Sequence, residues 1–136
     1  MKKVLFATLT ILLFITACGL KRSNPLDPMA NPHLEIPGKV LGIEVTVSPI
    51  SASPRYIDIE WQAMSNVSGY YIYRALSYDS SYERIKTIED NNIGKYRDQK
   101  NIISGGMYFY RLSAFTDNPE GRLEGSLSSP IGKIVN

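Results

Sequence analysis

The sequence predicts an all-β protein that folds as an antiparallel β-sandwich of about seven short strands. Three observations lead to this prediction. From about Lys39 onward, short segments alternate apolar and polar residues with a period of two, as half-buried strands do. Turn residues such as Gly, Pro, Asn and Asp separate these segments. None of the segments carries the 3.6-residue period of an amphipathic helix.

The strands are expected at seven places along the chain. The second candidate, YIDIEW, puts two isoleucines and a tryptophan on one face and two acidic residues on the other. The last candidate contains Pro130, and proline is confined to sheet edges because it has no N–H group to donate. In chain order, the candidate segments are residues 40–48, 56–61, 69–74, 82–88, a shorter one around Tyr96, 107–115 and 124–135.

The N-terminus is typical of a secretory signal peptide. Lys2 and Lys3 make a cationic start, and an apolar run follows over residues 4–15. This run is shorter than the roughly 20 apolar residues that span a bilayer, although a short transmembrane anchor is an alternative. We therefore expect residues 1–17 to be a signal peptide.

The end of the apolar run, ITAC at residues 15–18, resembles the lipobox of bacterial lipoproteins. The resemblance implies that Cys18 is lipidated on its sulfur, and that cleavage occurs before it. The alternative is an ordinary secreted protein with a free thiol, because Cys18 is the only cysteine. Two or more acyl chains would attach the protein stably to a membrane of the cell envelope. Gly19 follows the cysteine, where an Asp would resemble an inner-membrane retention signal, so the outer membrane is favoured.

A proline-rich segment separates Cys18 from the predicted strands. Pro25, Pro28, Pro32 and Pro37 lie in it, and proline at this density favours an extended, polyproline-like chain. We expect residues 18–37 to form a semi-rigid tether and residues 38–136 to form the folded domain.

Charge and residue types argue against several classes of function. Without Lys2 and Lys3, 13 of the 15 basic residues remain against 13 acidic ones, so nucleic acid is not expected as a partner. The single histidine, His33, lies in the tether, and there is no glycine-rich phosphate loop. Asp58 and Glu60 share a strand face, as a catalytic carboxylate pair could, but pairing with oppositely charged neighbours on the sheet accounts for both residues. We therefore expect no enzymatic activity, no metal site and no cofactor.

Residues 37–136 resemble a fibronectin type III domain. In that family a proline opens the first strand, a tryptophan ends the second, and the third strand reads Tyr-x-hydrophobic. The sixth strand reads Tyr-x-hydrophobic-x-hydrophobic-x-Ala, six residues after a large aliphatic one. The resemblance implies a seven-stranded immunoglobulin-like sandwich, with Ser104 departing from a proline that is common in the family. The matching positions are Pro37, Trp61, Tyr70, Ile72, Ile102, Tyr108, Tyr110, Leu112 and Ala114.

Two of these aromatic residues are expected to stabilise the core. Tyr108 begins a buried strand, so its ring can be buried while its hydroxyl bonds the backbone of the preceding loop, as in a tyrosine corner. Trp61 would fill the centre between the two sheets. Burial of each such side chain contributes about 1.5–3 kcal/mol.

The opposite faces of the third and sixth strands predict a binding surface. The two strands are expected to be neighbours, so Tyr71 and Tyr73 would point outward beside Phe109 and Arg111. Exposed Tyr and Arg are enriched at binding hot spots, which suggests docking on an envelope protein or a glycan. Alternatively, these rings only strengthen the sheet or contact the tether. A different possibility is a structural or accessory subunit that adds a partner's strand to the sandwich edge.

Overall fold

The computed structural model describes residues 24–136, all of which lie in strands, turns or irregular segments. No helix in this part of the chain is long and apolar enough to cross a membrane. The predicted signal peptide, residues 1–17, and the predicted lipidation site Cys18 lie outside the described residues. The strands are β1 (Glu44–Val47), β2 (Ile57–Glu60), β3 (Gly69–Ala75), β4 (Glu83–Ile88), β5 (Lys95–Asp98), β6 (Met107–Asn118), β7 (Gly121–Glu124) and β8 (Ile131–Ile134).

The strands form two antiparallel sheets. The first has three strands in the order β1-β2-β5, and the second has the order β4-β3-β6-β7, with β8 also paired to β6. β7 pairs with the last residues of β6, and β8 pairs with its first residues, on the edge that β3 leaves free. The last strand that the sequence predicts, residues 124–135, is therefore only partly correct, because it contains β8 and Glu124 of β7, whereas β7 begins at Gly121 and residues 125–130 are not in a strand. The predicted all-β antiparallel sandwich is confirmed.

The interruption between β7 and β8 has a local cause. Pro130 has no N–H group for the ladder, and residues 125–130 leave regular pairing. Two backbone bonds still hold this segment to β6: Gly125 N–H donates to the oxygen of Ala114 (2.9 Å), and Ser128 N–H to that of Leu112 (2.7 Å). The broken strand therefore still closes the edge of the second sheet.

The first strand is shorter than predicted. The alternation predicts residues 40–48, whereas β1 covers Glu44–Val47. Gly42 has a φ of +65°, in the left-handed region, which interrupts the extended chain. The residues before it still follow β2, because the oxygen of Leu41 accepts a bond from the N–H of Gln62 (3.0 Å).

The core lies between the two sheets and contains the inward residues that the alternation predicts. Trp61 is 6% exposed, and its ring meets that of Tyr70 edge-on at 5.3 Å. The hydroxyl of Tyr108 accepts a bond from the N–H of Ile103 (3.1 Å) and donates to the oxygen of Asn101 (3.0 Å). The predicted tyrosine corner is therefore confirmed. The core residues include Val40, Val45, Ile57, Ile59, Tyr70, Ile72, Ile102, Tyr110, Leu112, Ala114 and Val135.

One buried carboxylate links the two sheets. Asp98, at the end of β5, is 1% exposed. Its Oδ2 accepts bonds from Arg74 on β3 (2.8 Å) and from the hydroxyl of Tyr110 on β6 (2.8 Å). Its Oδ1 accepts the backbone N–H of Lys100 (3.1 Å), so both carboxylate oxygens have partners. Such a buried charge is tolerated only because it is paired and hydrogen-bonded.

Residues 24–37 differ from the extended chain that their prolines predict. The oxygens of Asn24 and Asp27 accept backbone N–H groups and close successive turns through Asn31. The side chains of Asn24 and Asp27 also accept backbone N–H groups two residues on, which is typical of Asx turns. Leu34 is 4% exposed, so this segment folds against the sandwich.

Candidate functional site

The structure brings the four predicted surface residues together on the outer face of the second sheet. Tyr73 lies directly opposite Arg111, and Phe109 lies opposite Ala75, in the pairing of β3 with β6. Tyr71 is two residues before Tyr73 on the same face, with the two ring centroids 6.3 Å apart. The sequence therefore predicts the shared face, and strand pairing positions the side chains.

Two of the four residues are not exposed, and this corrects the sequence prediction. Tyr71 is 6% exposed and Phe109 is 9% exposed, whereas Tyr73 and Arg111 are half-buried. Neighbouring side chains cover the first two rings. The face that the alternation pattern predicts to be open is therefore partly covered by the chain itself.

Tyr71 is covered by a ring and two guanidinium groups. It stacks on Phe115, which lies at the end of β6, with ring centroids 4.6 Å apart. The Cζ of Arg84 lies 4.5 Å from the centroid of the Tyr71 ring. Arg122 places its Cζ 3.8 Å from the centroid of Phe115 and donates to the Tyr71 hydroxyl (3.3 Å). Cation–π contacts of this kind contribute about 0.5–2 kcal/mol each.

Arg122 is held in this position by acidic neighbours. It donates to both carboxylate oxygens of Asp117 (2.6 and 3.0 Å) and to both of Glu89 (3.1 and 2.8 Å). The hydrogen bonds from Arg122 lower the pKa of Asp117. The β6–β7 hairpin brings Arg122 back over β6, because Asp117 pairs with Arg122 across its turn. Arg122 therefore covers aromatic rings, while its guanidinium is largely paired with the two carboxylates.

Phe109 is covered from the other side of β6. Gly132 on β8 lies opposite it, and a Cβ added there would be 2.5 Å from the Phe109 ring. The exposed ring of Tyr78 meets Phe109 edge-on at 6.0 Å. The glycine therefore lets the Phe109 ring lie flat along the edge strand.

The remaining part of the face forms a shallow groove of about 570 Å³. Tyr73 donates to Oε1 of Glu124 (2.7 Å), and burial together with this carboxylate raises the pKa of Tyr73 to about 12. Arg111 donates from Nε to the oxygen of Ser128 (2.8 Å), and its Cζ lies 5.5 Å from the Tyr82 ring. The groove thus offers two phenol rings and a cation, all partly engaged within the chain. It is lined by Tyr73, Tyr82, Arg111, Glu124, Gly125 and Leu127.

The structure also shows an apolar surface that the sequence analysis does not predict. It lies at the end of the sandwich where β6 begins, and we call it the distal patch. Part of it is a groove of about 430 Å³ that includes Leu76, Ile103 and Met107 in its lining. The alternation pattern misses this surface because three of its residues lie in loops, where no period distinguishes core from surface. The distal patch consists of Leu76, Tyr78, Ile103, Met107 and Ile134.

The residues 24–37 lie at the other end of β6. Leu26 is beside Gly121, where a Cβ would be 3.4 Å from the leucine side chain. His33 is 3.2 Å from Glu120 in the β6–β7 turn. Further along, the oxygen of Glu35 accepts a bond from the Thr116 hydroxyl (3.4 Å). We call this end of the sandwich, at residues 118–121, the hairpin end.

The outer face of the first sheet is a ladder of charges. Arg97 on β5 makes a bidentate ion pair with Asp58 on β2, at 2.7 Å for both bonds, and lies 3.7 Å over the ring of Tyr56. Glu60 lies opposite Lys95 in the same strand pair. The predicted role of Asp58 as a member of a cross-strand ion pair is confirmed. Within residues 24–136, no three His, Cys, Asp or Glu side chains are grouped as metal ligands.

Comparison with known proteins is informative at the level of structure. No family model matches the sequence, and no curated protein matches it. Among solved structures, an Fn3-like protein from Clostridium thermocellum is similar with a TM-score of 0.57 and 20% identity, over 72% of this chain and 92% of that one. The fn3 domain of human contactin 1 is similar with a TM-score of 0.58 and 18% identity, over 76% of this chain and 82% of that one.

At these identities the likeness concerns the fold alone. It agrees with the arrangement of a three-stranded and a five-stranded sheet, the central Trp61 and the tyrosine corner at Tyr108. The chain is therefore an immunoglobulin-like β-sandwich with the fibronectin type III fold, as the sequence resemblance predicts.

Proposed function

We propose that this protein is a lipid-anchored, non-enzymatic interaction module of the bacterial cell envelope. The lipobox-like residues 15–18 support the anchor, and the residue after Cys18, a glycine, favours the outer membrane. The fibronectin type III fold is compatible with a domain that binds another molecule without catalysis. The partner is an envelope protein or a glycan.

The observation that carries this proposal is the short path from the predicted anchor to the folded domain. Leu26, which contacts the hairpin end, is only eight residues after Cys18. Eight residues span at most about 28 Å. A lipidated Cys18 would therefore hold the hairpin end close to the bilayer, in the arrangement of a membrane-attached module.

The groove on the second sheet is the first candidate contact surface of this module. Tyr73, Tyr82 and Arg111 offer ring faces and a guanidinium group, which suit stacking against a sugar or a partner's side chain. Tyr71 takes no direct part, because it lies beneath Arg122. The contact surface proposed for this face therefore includes fewer than the four residues that the sequence predicts.

Strand addition at a sheet edge has less support as an alternative. The end strands are β1 and β5 in the first sheet and β4 and β7 in the second. β1 carries Glu44, β5 carries Lys95 and Arg97, and β7 carries Arg122 and Glu124. β4 carries Glu83, Arg84 and Lys86. Charged side chains on edge strands oppose pairing with another chain. We therefore prefer side-chain contact over a structural role through edge pairing.

The anchor is tested by substituting the predicted lipidation site. We expect wild-type protein, expressed in a Gram-negative host, to incorporate an acyl label and to sediment with membranes. Cys18→Ser should lose the label and remain as the uncleaved precursor. The double variant Cys18→Ser/Ser51→Cys, which carries a thiol at another position, is the control and should also remain unlabelled. Equal labelling of wild type and Cys18→Ser would contradict the proposal.

A further inference from the structure

We propose that the distal patch is a docking surface for another protein, which inserts an aliphatic or aromatic side chain into the groove between Leu76, Ile103 and Met107. This inference deepens the proposed function by naming the class of partner and its contact surface. It rests on the proposed processing at Cys18 for the orientation of the patch relative to the membrane and for the removal of residues 1–17, which could otherwise reach the patch.

The patch is a cluster of large apolar side chains that the described chain leaves open. Leu76 is 71% exposed, Ile103 64%, Ile134 56% and Met107 44%. Isolated exposed apolar residues are ordinary on protein surfaces, but contiguous groups mark interaction sites. Here Met107 and Ile134 are direct cross-strand partners, and Met107 shares a groove with the other two aliphatic residues.

The groove is built on buried and hydrogen-bonded residues of the fold. The N–H of Ile103 is bonded to the hydroxyl of Tyr108, and Tyr108 is 3% exposed and lines the groove. Arg74, at its border, is fixed by the buried carboxylate of Asp98. A preformed groove loses little conformational freedom when it is occupied, which favours binding.

The N-terminal segment of this chain cannot occupy the groove. Leu26 contacts the hairpin end, whereas Met107 begins the 12-residue strand that ends there. At about 3.3 Å per residue this strand separates the two ends by roughly 35 Å. The eight residues between Leu26 and Cys18 reach at most about 28 Å. Residues 1–17 are removed in the proposed mature protein, so the occupant is another molecule.

The chemistry of the groove favours a protein as that molecule. Its polar side-chain groups are the amide of Asn101, the guanidinium of Arg74 and the hydroxyl of Tyr108, and the last two are already bonded within the chain, so it offers few groups for sugar hydroxyls. A concave groove accepts a protruding side chain, whereas insertion into a bilayer requires protruding residues. The patch lies at the end opposite the proposed anchor, where a partner in the aqueous compartment can reach it.

The experiment uses the full-length protein in native membranes with a photo-crosslinking residue at position 103. The matched control carries the same residue at position 41, because Leu41 is 62% exposed and Ile103 is 64% exposed. Leu41 lies beside Gln62, just beyond the C-terminal end of β2. The N-terminal end of β2 is the one that lies toward the patch. Adducts are identified by mass spectrometry. The identified protein is then purified, and its Kd for detergent-solubilised wild type, Ile103→Ser/Met107→Ser and Leu41→Ser is measured.

The proposal expects a protein adduct at position 103 that is absent at position 41. It also expects the Kd to rise at least tenfold for Ile103→Ser/Met107→Ser and to change less than twofold for Leu41→Ser, with equal thermal midpoints. An adduct with lipid, with glycan or with a second copy of this chain would overturn it. Equal labelling at the two positions, or an unchanged Kd in the double variant, would also overturn it.

This experiment separates failure of the patch from failure of the anchor. Cys18→Ser changes fractionation and acyl labelling, whereas a chain that lacks residues 1–18 should bind the purified partner with the Kd of wild type. Ile103→Ser/Met107→Ser should fractionate and label as wild type does. Wild type that binds through the patch but takes up no acyl label would refute the anchor alone.

Discussion

Replacement of Asp98 by alanine should destabilise the domain far more than replacement of an exposed ion-pair residue such as Asp58. The carboxylate is 1% exposed and accepts bonds from Arg74, Tyr110 and the backbone of Lys100. Its removal leaves the guanidinium of Arg74, whose side chain is 15% exposed, and the fully buried hydroxyl of Tyr110 without this acceptor.

The magnitude follows from the cost of an uncompensated buried charge. Breaking a buried ion pair by removing one partner costs about 3–5 kcal/mol. A domain of this size has a free energy of unfolding of about 5–15 kcal/mol, so the variant would be marginally stable. At roughly 4 °C for each kcal/mol, the thermal midpoint should fall by about 12–20 °C.

The matched control is Asp58→Ala on the outer face of the first sheet. Asp58 also pairs with an arginine, Arg97, but the two side chains are 30% and 49% exposed. An exposed pair contributes about 0–1 kcal/mol, even with good geometry. The assay is urea unfolding followed by the fluorescence of Trp61, the single tryptophan. Equal losses for Asp98→Ala and Asp58→Ala would refute the reasoning, because burial would then not set the cost.

Three further predictions concern the corner, the groove and the N-terminal segment. Tyr108→Phe should lower the free energy of unfolding by about 1–3 kcal/mol in urea titrations, because the N–H of Ile103 loses its acceptor; no change would show that water replaces the hydroxyl. Tyr73 has a folded pKa of about 12 against 10.0, so the stability it contributes is complete below pH 10 and lost as the pH rises toward 12. Wild type should therefore lose more stability than Tyr73→Phe between pH 9.5 and 11.5 in thermal melts, and parallel curves would contradict this. Leu34→Ala should lower the free energy of unfolding by about 2–5 kcal/mol in the same urea assay, because the side chain is 4% exposed. A decrease below about 0.5 kcal/mol, the usual effect of a surface change, would show that residues 24–37 do not stabilise the domain.

The inward half of the sandwich could be predicted from the alternation of residues along each strand. Tyr108, Tyr110 and Leu112 lie in the core because successive side chains of a strand point to opposite faces. The tyrosine corner was equally predictable, since its partners lie within seven residues in the preceding loop. In each case the relevant neighbours are close in the sequence.

The state of the outer face could not be predicted in the same way. Tyr71 is covered by Arg122, which lies 51 residues later in the chain, and Phe109 by Gly132 on β8. Their burial depends on how the β6–β7 hairpin and the broken edge strand return to the sheet. The distal patch depends likewise on where the β3–β4 and β5–β6 loops place Leu76 and Ile103.

The sequence by itself determined the class of fold, the face of each strand that forms the core and the residues of the tyrosine corner. It did so because strand periodicity and turn chemistry are local properties of the chain. Only the tertiary structure decided which aromatic residues of the outer face stay accessible, how residues 24–37 pack at the hairpin end, and where an apolar groove remains open. These features depend on contacts between residues distant in the sequence, and no local pattern specifies such contacts.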